Sequence, residues 1–316
     1  MTVQLRSLGR SGLKVPPLCF GGNVFGWTVD QAGADRLLDG LTGGGLNFID
    51  TADVYSAWAP GNRGGESETM IGHWLKARGG RDKVIIATKV GMDMGQGRKG
   101  LSRAHIRRSV DDSLQRLQTD YIDLYQAHAD DEGTPLAETL HAFNELIAEG
   151  KVRAIGASNY SAERLAEALQ VSAAEGLARY ESLQPHYNLY TRDKFEGPSA
   201  AVCLEQDVGV IPYYSLASGF LSGKYRSKAD LHGARGGGVG AMLNPRGFAI
   251  LDALDAASAE LNARPAQVAL AWLMAKPAIT APIASATSLE QLQDLIASVQ
   301  LKLPAEVMTR LDQAGT

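Results

Sequence analysis

Length, composition and charge exclude several classes of protein. The chain has 316 residues, 45% of them apolar, which is typical of a globular protein with a large core. Its 31 basic and 35 acidic residues give a formal net charge of −4 without a block of like charges, which argues against a nucleic-acid or membrane surface as the main partner. The N-terminus lacks the apolar core of a signal peptide, and no run reaches the roughly 18 apolar residues of a membrane span, so we expect a cytoplasmic protein.

Eight short apolar segments alternate with helical patterns along the chain. The segments predicted as strands are 15–22, 46–50, 84–89, 121–128, 152–158, 181–187, 208–215 and 279–284. Between the third and fourth segments, Ser102 is a good N-cap, and Ile106 and Val110 begin a stripe at helical spacing. This alternation predicts an α/β fold, a closed (β/α)8 TIM barrel, as a single domain over residues 1–316.

Three local features add to this outline. The residues VQLRSLGRSGLKV predict an N-terminal β-hairpin around residues 10–12 that closes the bottom of the barrel. Thr134 and Pro135 predict an N-cap and the first residue of a helix. The long gap between the seventh and eighth strands contains GARGGGVGAMLNPRG (233–247), which predicts a mobile lid on the catalytic face.

An open, doubly wound sheet is the alternative architecture. It requires a phosphate-binding glycine turn after its first strand, and the chain has one G-x-G-x-x-G match at residues 95–100. That match follows the third strand, and no acidic residue ends the next strand. A flexible loop is the better interpretation of this segment.

Polar residues stand at the ends of most of the predicted strands. They are Asp50, Lys89, His128, Ser158 with Asn159, Gln184 and Tyr214. Each alone is typical of a turn residue, a solvated side chain or a packed polar group. Because barrel enzymes build their sites at the C-terminal ends of the strands, we expect these side chains to converge on one face. Cys19 and Cys203 lack metal-ligand spacing, and no metal site is predicted.

Proton transfer to a carbonyl oxygen is the chemistry that suits this set. A tyrosine has an ordinary pKa near 10 and is a poor proton donor unless its tyrosinate is stabilised. Lys89 would supply that stabilisation to Tyr55, while Asp50 would hold Lys89 charged and in place. His128 would orient the carbonyl or share the proton path. Because no nucleophile is needed, the second substrate must be a hydride donor.

The same segments, in this order, resemble aldo-keto reductases, in particular the bacterial members similar to potassium-channel β-subunits. The matching motifs are FIDTADVY, ATK, SLQRLQTDYIDLYQAH, GKVRAIGASNY and YYSLASGFLSGKY, and the resemblance covers essentially the whole chain. It implies an oxidoreductase that reduces aldehydes or ketones to alcohols reversibly, with a nicotinamide cofactor and a small-molecule carbonyl or alcohol substrate. It also implies a catalytic tetrad of Asp50, Tyr55, Lys89 and His128.

The resemblance further implies where the cofactor binds. Ser158, Asn159 and Gln184 would hold the nicotinamide amide, and Tyr214 would stack on the ring. The pyrophosphate would be wrapped by Ser215, Leu216, Gly219, Leu221 and Lys224. Near the adenosine, Ser285, Thr287 and Gln291 can fill the usual places, but Leu295 stands where many relatives have an asparagine.

The choice between NADP(H) and NAD(H) depends on positive charge near the 2′-phosphate. The segment after the eighth strand offers only hydroxyls, whereas the long loop between the seventh and eighth strands, the seventh loop, contains Lys224 and Arg235. We therefore predict that NADP(H) is preferred and that Arg235 is the main discriminator. A solvated arginine in a glycine-rich loop is the alternative interpretation of Arg235.

Three side chains are expected to contact the substrate. Trp27, Trp58 and His186 are the expected substrate-binding residues and would give an apolar or aromatic pocket. A Schiff-base aldolase using Lys89 as the nucleophile is one alternative function, but it leaves the predicted nicotinamide contacts unexplained. The other is a cofactor-bound redox sensor with little turnover, against which the intact tetrad argues.

Overall fold

The computed structural model describes residues 3–95, 97–231 and 236–315. A two-stranded antiparallel hairpin, β1 and β2, precedes eight parallel strands, β3 to β10. In order, the strands are Arg6–Ser7, Lys14–Val15, Cys19–Gly21, Phe48–Asp50, Ile85–Val90, Ile122–Ala127, Val152–Ser158, Tyr180–Gln184, Gly209–Val210 and Ile283–Ala284. The helices α1 to α10 are Gln31–Gly43, Glu66–Arg78, Arg103–Leu117, Leu136–Ala148, Ala162–Glu175, Pro198–Glu205, Pro245–Leu261, Pro265–Ala275, Leu289–Ser298 and Ala305–Gln313.

The eight parallel strands form a closed barrel. Seven neighbouring pairs run from β10 through β3 to β9 in order. The ring closes between its two ends, because the Val210 carbonyl accepts hydrogen bonds from the amides of Thr280 (2.8 Å) and Ala281 (3.2 Å), and the Pro212 carbonyl accepts from Ile283 (2.8 Å). This confirms the (β/α)8 prediction and excludes the open, doubly wound sheet.

The N-terminal hairpin covers one end of the barrel, as predicted. Leu8 is fully buried and Leu13 nearly so, and both belong to the apolar cluster inside the barrel, together with Phe48 and Leu124. Gly9 between them has a φ of 52°, and a Cβ there would collide with the carbonyl oxygen of Glu181 near the start of β8. The hairpin therefore seals the N-terminal end of the strands and leaves the C-terminal end open.

One of two predicted helix caps differs in detail from the structure. Ser102 caps α3 as expected by accepting from the His105 amide, but Thr134 does not cap α4, which begins one residue late with Pro135 at its N-cap. The reason is that the Thr134 hydroxyl donates to Asp131 (2.7 Å) instead of accepting from the helix. The long segment between β9 and β10 also contains two helices, α7 and α8, next to its glycine run.

Candidate active site

Side chains from the C-terminal ends of the barrel strands line a single cleft of about 700 Å³. The predicted residues in its wall are Asp50, Tyr55, His128, Ser158, Asn159, Gln184 and Tyr214. Lys89 lies beneath them, fully buried on β5. The barrel thus brings side chains that are 134 positions apart in the sequence into direct contact, since Gln184 donates to Asp50 (2.9 Å).

Lys89 is held by three acceptors. Its Nζ donates to Asp50 Oδ2 (2.7 Å), to the Thr51 carbonyl oxygen (2.8 Å) and to Tyr55 Oη (3.0 Å). An ammonium group has three N–H donors, so all of them are used. Burial would lower the pKa of Lys89, but the charges of Asp50 and Tyr55 and their hydrogen bonds leave it above its ordinary value. Lys89 is therefore a fixed cation, which is the opposite of the neutral amine that a Schiff base requires.

The Tyr55 phenol keeps its proton in this environment. Burial raises its pKa to about 12, and the charge and hydrogen bond of Lys89 offset only part of the rise. Lys89 was expected to stabilise the tyrosinate, and its charge and hydrogen bond do lower the pKa of Tyr55, but the loss of solvent outweighs them. At neutral pH this geometry presents a phenolic O–H, with a cation behind it, to the cleft.

His128 adjoins the tyrosine as a neutral ring. Burial, and then the charge of Lys89, hold its pKa well below the ordinary value. Its ring lies edge-on to Tyr55, with centroids 5.9 Å apart, and within the described residues its Nδ1 has no hydrogen-bond partner. A neutral imidazole at this position can donate one hydrogen bond to an oxygen bound in the cleft.

An amide and hydroxyl network extends from β7 to β8. Ser158 Oγ donates to the Gln184 carbonyl (2.9 Å), and Asn159 Nδ2 donates to the His128 carbonyl (2.9 Å) and to Ser158 Oγ (3.1 Å). Tyr214 follows the seventh barrel strand with a φ of 55° and a side chain that is 54% exposed. Ser158, Asn159 and Gln184 thus form a polar wall of the cleft, beside the exposed ring of Tyr214.

The remaining predicted contacts divide into two groups. Ser215, Leu216, Gly219, Lys224, Ser285 and Gln291 line the cleft. Three others do not: the Leu221 side chain is in the core, Thr287 is exposed and bonds to Gln291, and His186 stacks behind Tyr213 (5.3 Å between centroids). Arg235 lies outside the described residues.

Aromatic side chains form the part of the cleft beside Tyr55. Trp58 packs edge-on against Tyr55 (5.6 Å) and Trp27 (5.9 Å) and is 47% exposed. Met92, after β5, also lines this part. The cleft also contains residues that were not predicted, among them Met92, Asn23 and Tyr213. Asn23 and Met92 closely follow barrel strands and could have been found by the strand-end rule that identified Asp50.

The chain is similar to known proteins over nearly its whole length. The family model described as Aldo/keto reductase family matches residues 17–316. The chain therefore belongs to the aldo/keto reductase family, as the sequence resemblance indicated, and is an oxidoreductase of carbonyl compounds. This family generally uses nicotinamide cofactors.

Several proteins of similar length align with nearly the whole chain. It is 36% identical to "Uncharacterized oxidoreductase YrpG" of Bacillus subtilis (strain 168), over 96% of this chain and 94% of that protein. It is 33% identical to "Probable voltage-gated potassium channel subunit beta" of Arabidopsis thaliana, over 95% and 92%. It is 31% identical to "Versiconal hemiacetal acetate reductase" of Aspergillus parasiticus, over 97% and 95%. In the described part of the chain, no helix is long and apolar enough to cross a membrane.

Proposed function

We propose that this protein reduces aldehydes or ketones to alcohols, reversibly, with NADP(H) as the preferred cofactor and Tyr55 as the proton donor. The observation that carries the proposal is the buried set of contacts from Lys89 to Asp50, Thr51 and Tyr55 directly beneath the cleft. It gives a phenol that is protonated at neutral pH and a fixed positive charge that stabilises the tyrosinate left after transfer.

Each side chain of the tetrad has one task in this reaction. When bound, the reduced nicotinamide supplies a hydride to the carbonyl carbon. Tyr55 gives its phenolic proton to the carbonyl oxygen, so an alcohol forms and the tyrosinate later recovers a proton from water. Lys89 stabilises that tyrosinate, Asp50 keeps Lys89 in place, and neutral His128 donates a hydrogen bond that orients the carbonyl.

The cofactor fits the rest of the cleft. Ser158, Asn159 and Gln184 offer hydrogen-bonding groups for the nicotinamide carboxamide, and the exposed face of Tyr214 offers a surface on which the ring can stack. The pyrophosphate would lie along Ser215, Leu216, Gly219, Leu221 and Lys224, and the adenosine near Ser285, Thr287 and Gln291. Leu221 would contribute only its backbone, because its side chain is buried in the core.

The substrate would be a small carbonyl compound with an apolar or aromatic body. The wall beside Tyr55 is formed by Trp27, Trp58 and Met92, none of which carries charge. His186 was expected there, but its ring stacks behind Tyr213, so it would act on the substrate only indirectly.

A panel of aldehydes and ketones, followed by nicotinamide absorbance with NADPH and with NADH, tests the proposal. We expect turnover with at least one aromatic aldehyde and higher kcat/KM with NADPH. Tight cofactor binding without turnover across the panel would favour the redox sensor. Borohydride trapping of a substrate adduct on Lys89 would favour the aldolase and overturn the proposal.

A further inference from the structure

Tyr213 lies in the wall of the cleft, next to the tyrosine on which the nicotinamide would stack, and has no role in the reaction as described above. Its backbone amide donates to the Pro185 carbonyl (2.9 Å), which ties it to the end of β8. Its phenolic hydroxyl donates to Asn159 Oδ1 (2.8 Å). Tyr213 therefore contacts the side chain that adjoins the cofactor's reactive end.

The orientation of the Asn159 amide follows from its other partners. The His128 backbone carbonyl can only accept a hydrogen bond, so the Asn159 atom 2.9 Å from it must be the donor, Nδ2. The oxygen Oδ1 then points towards Tyr213, whose hydroxyl must donate to it. The second N–H of Asn159 is directed to Ser158 Oγ at 3.1 Å, and the nicotinamide carboxamide oxygen would share this donor with Ser158.

The Tyr213 ring is held on two sides. It stacks on His186 with centroids 5.3 Å apart and planes at 23°, and it meets the edge of Tyr214 at 5.1 Å and 62°. Burial lowers the pKa of His186, so that the ring beneath Tyr213 is neutral near pH 7. These contacts fix the position of the Tyr213 hydroxyl, and the hydroxyl in turn fixes Asn159 Oδ1.

We propose that Tyr213 is a positioning residue that holds the Asn159 amide with an N–H facing the carboxamide oxygen of the nicotinamide; this proposal rests on the proposed function. The His128 carbonyl excludes the reversed amide, because it can only accept a hydrogen bond. The Tyr213 hydroxyl anchors the opposite, oxygen side of the amide and so limits its rotation away from the cofactor. With the Asn159 amide held at both ends, the nicotinamide ring has one preferred orientation beside Tyr55 and His128. His186 supports the same arrangement by packing under Tyr213.

Tyr213→Phe keeps the ring and its stacking and removes only the hydroxyl. We expect the dissociation constant of NADPH, measured by calorimetry, to rise about three- to tenfold, the effect of one hydrogen bond. Adenosine 2′-phosphate 5′-diphosphoribose, which lacks nicotinamide, should bind with unchanged affinity. Tyr187→Phe is the matched control, because it removes a tyrosine hydroxyl that donates to Glu196 (2.7 Å) and does not line the cleft. It should change neither constant.

A double-mutant cycle with Asn159→Ala separates positioning from a general structural effect. If Tyr213 acts through Asn159, Tyr213→Phe has no further effect on NADPH binding once Asn159 is alanine. Three results would each overturn the role of Tyr213. They are additive effects of the two substitutions on NADPH binding, equal weakening of the nicotinamide-free fragment, and unchanged NADPH binding in Tyr213→Phe. If the unmodified protein binds neither NADPH nor NADH, both the proposed function and this inference are overturned. If it turns over normally but the effects of the two substitutions are additive, only the inference is overturned.

Discussion

Burial sets the charge of individual side chains in and behind the cleft. Tyr55 and His128 are both driven towards their neutral forms, while Lys89 stays charged because Asp50 lies 2.7 Å from its Nζ. Asp53, which lies between Asp50 and Tyr55 in the sequence, is buried without such a partner. Burial, and then the charge of Glu68, raise its pKa to about 8, and neither carboxyl oxygen has a well-formed hydrogen bond in the described part of the chain.

Asp53→Asn tests this environment. In the unfolded chain Asp53 loses its proton near pH 4, whereas the folded protein keeps it to about pH 8. The unfolded state therefore binds fewer protons between these values, and the carboxyl lowers the free energy of unfolding by up to about 1.4 kcal/mol per pH unit as pH rises. Asparagine does not titrate, so we expect the variant to gain stability relative to the unmodified protein between about pH 5 and pH 8.

Chemical denaturation at several pH values measures that gain. Asp252→Asn, which replaces an exposed aspartate on α7, is the control and should show no such trend. A stability difference for Asp53→Asn that stays constant with pH would contradict the raised pKa.

The residues of the cleft were predictable to different degrees. Asp50, Lys89 and Gln184 end apolar strands, and the barrel rule alone places their side chains on one face. Asp53 resembles an ordinary loop residue, because the sequence does not reveal that Glu68 of α2 and Arg116 of α3 lie close enough to affect its pKa. The role of Tyr213 depends on its contacts with Asn159 and His186, which come from two other strand ends and carry no signal at the level of sequence spacing.

At the scale of elements, the hairpin and the eight strands followed from patterns of hydrophobicity, but the strand lengths did not. The segment predicted at 208–215 is a strand only over Gly209–Val210, and that predicted at 279–284 only over Ile283–Ala284. Beyond Val210 the chain still pairs at single residues, because the Ile211 and Tyr213 amides donate to Leu183 and Pro185. The regular ladder nevertheless ends at Val210, before Tyr214 enters the cleft wall. Alternation of residue types does not reveal where pairing stops.

Leu8→Ala tests the closure of the barrel by the hairpin. Leu8 is fully buried against the inner cluster, so removing its side chain should lower the free energy of unfolding by about 2–5 kcal/mol. Leu5→Ala is the matched control, because Leu5 lies in the same N-terminal segment but is 52% exposed, and its effect should be within about 0.5 kcal/mol. Denaturant titration measures both, and equal small effects would mean that the hairpin does not seal the barrel.

At the scale of the whole molecule, closure of the ring creates the site. Strand ends from distant parts of the sequence meet only because β9 and β10 join. The cofactor would then extend along the cleft from the end of β7 to the segment after β10. The seventh loop, with Lys224 in the cleft wall, is the part of the chain that would reach over the cofactor. The position of Arg235 within that loop could not be predicted from sequence spacing, because glycine-rich segments have no periodicity.

Arg235→Ala tests the cofactor preference. Loss of one charge-assisted contact to the 2′-phosphate should weaken NADPH binding roughly 10- to 150-fold and leave NADH nearly unchanged. Arg36→Ala, which removes the same charge from an exposed position on α1, should affect neither cofactor. Equal weakening of NADPH and NADH by Arg235→Ala would assign Arg235 to the pyrophosphate or to lid closure, and tighter binding of NADH by the unmodified protein would reverse the preference.

Single-turnover reduction by Tyr55→Phe tests whether Tyr55 is the proton donor. The cofactor should be saturating, and the carbonyl substrate should be one for which a deuterium isotope effect shows that hydride transfer is rate-limiting. Under these conditions we predict a rate at least about 10²-fold below that of the unmodified protein. Cofactor affinity should change less than about twofold, since the ring is retained and its hydroxyl contacts Lys89. A variant that keeps near-normal hydride transfer under these conditions would show that Tyr55 is not the acid.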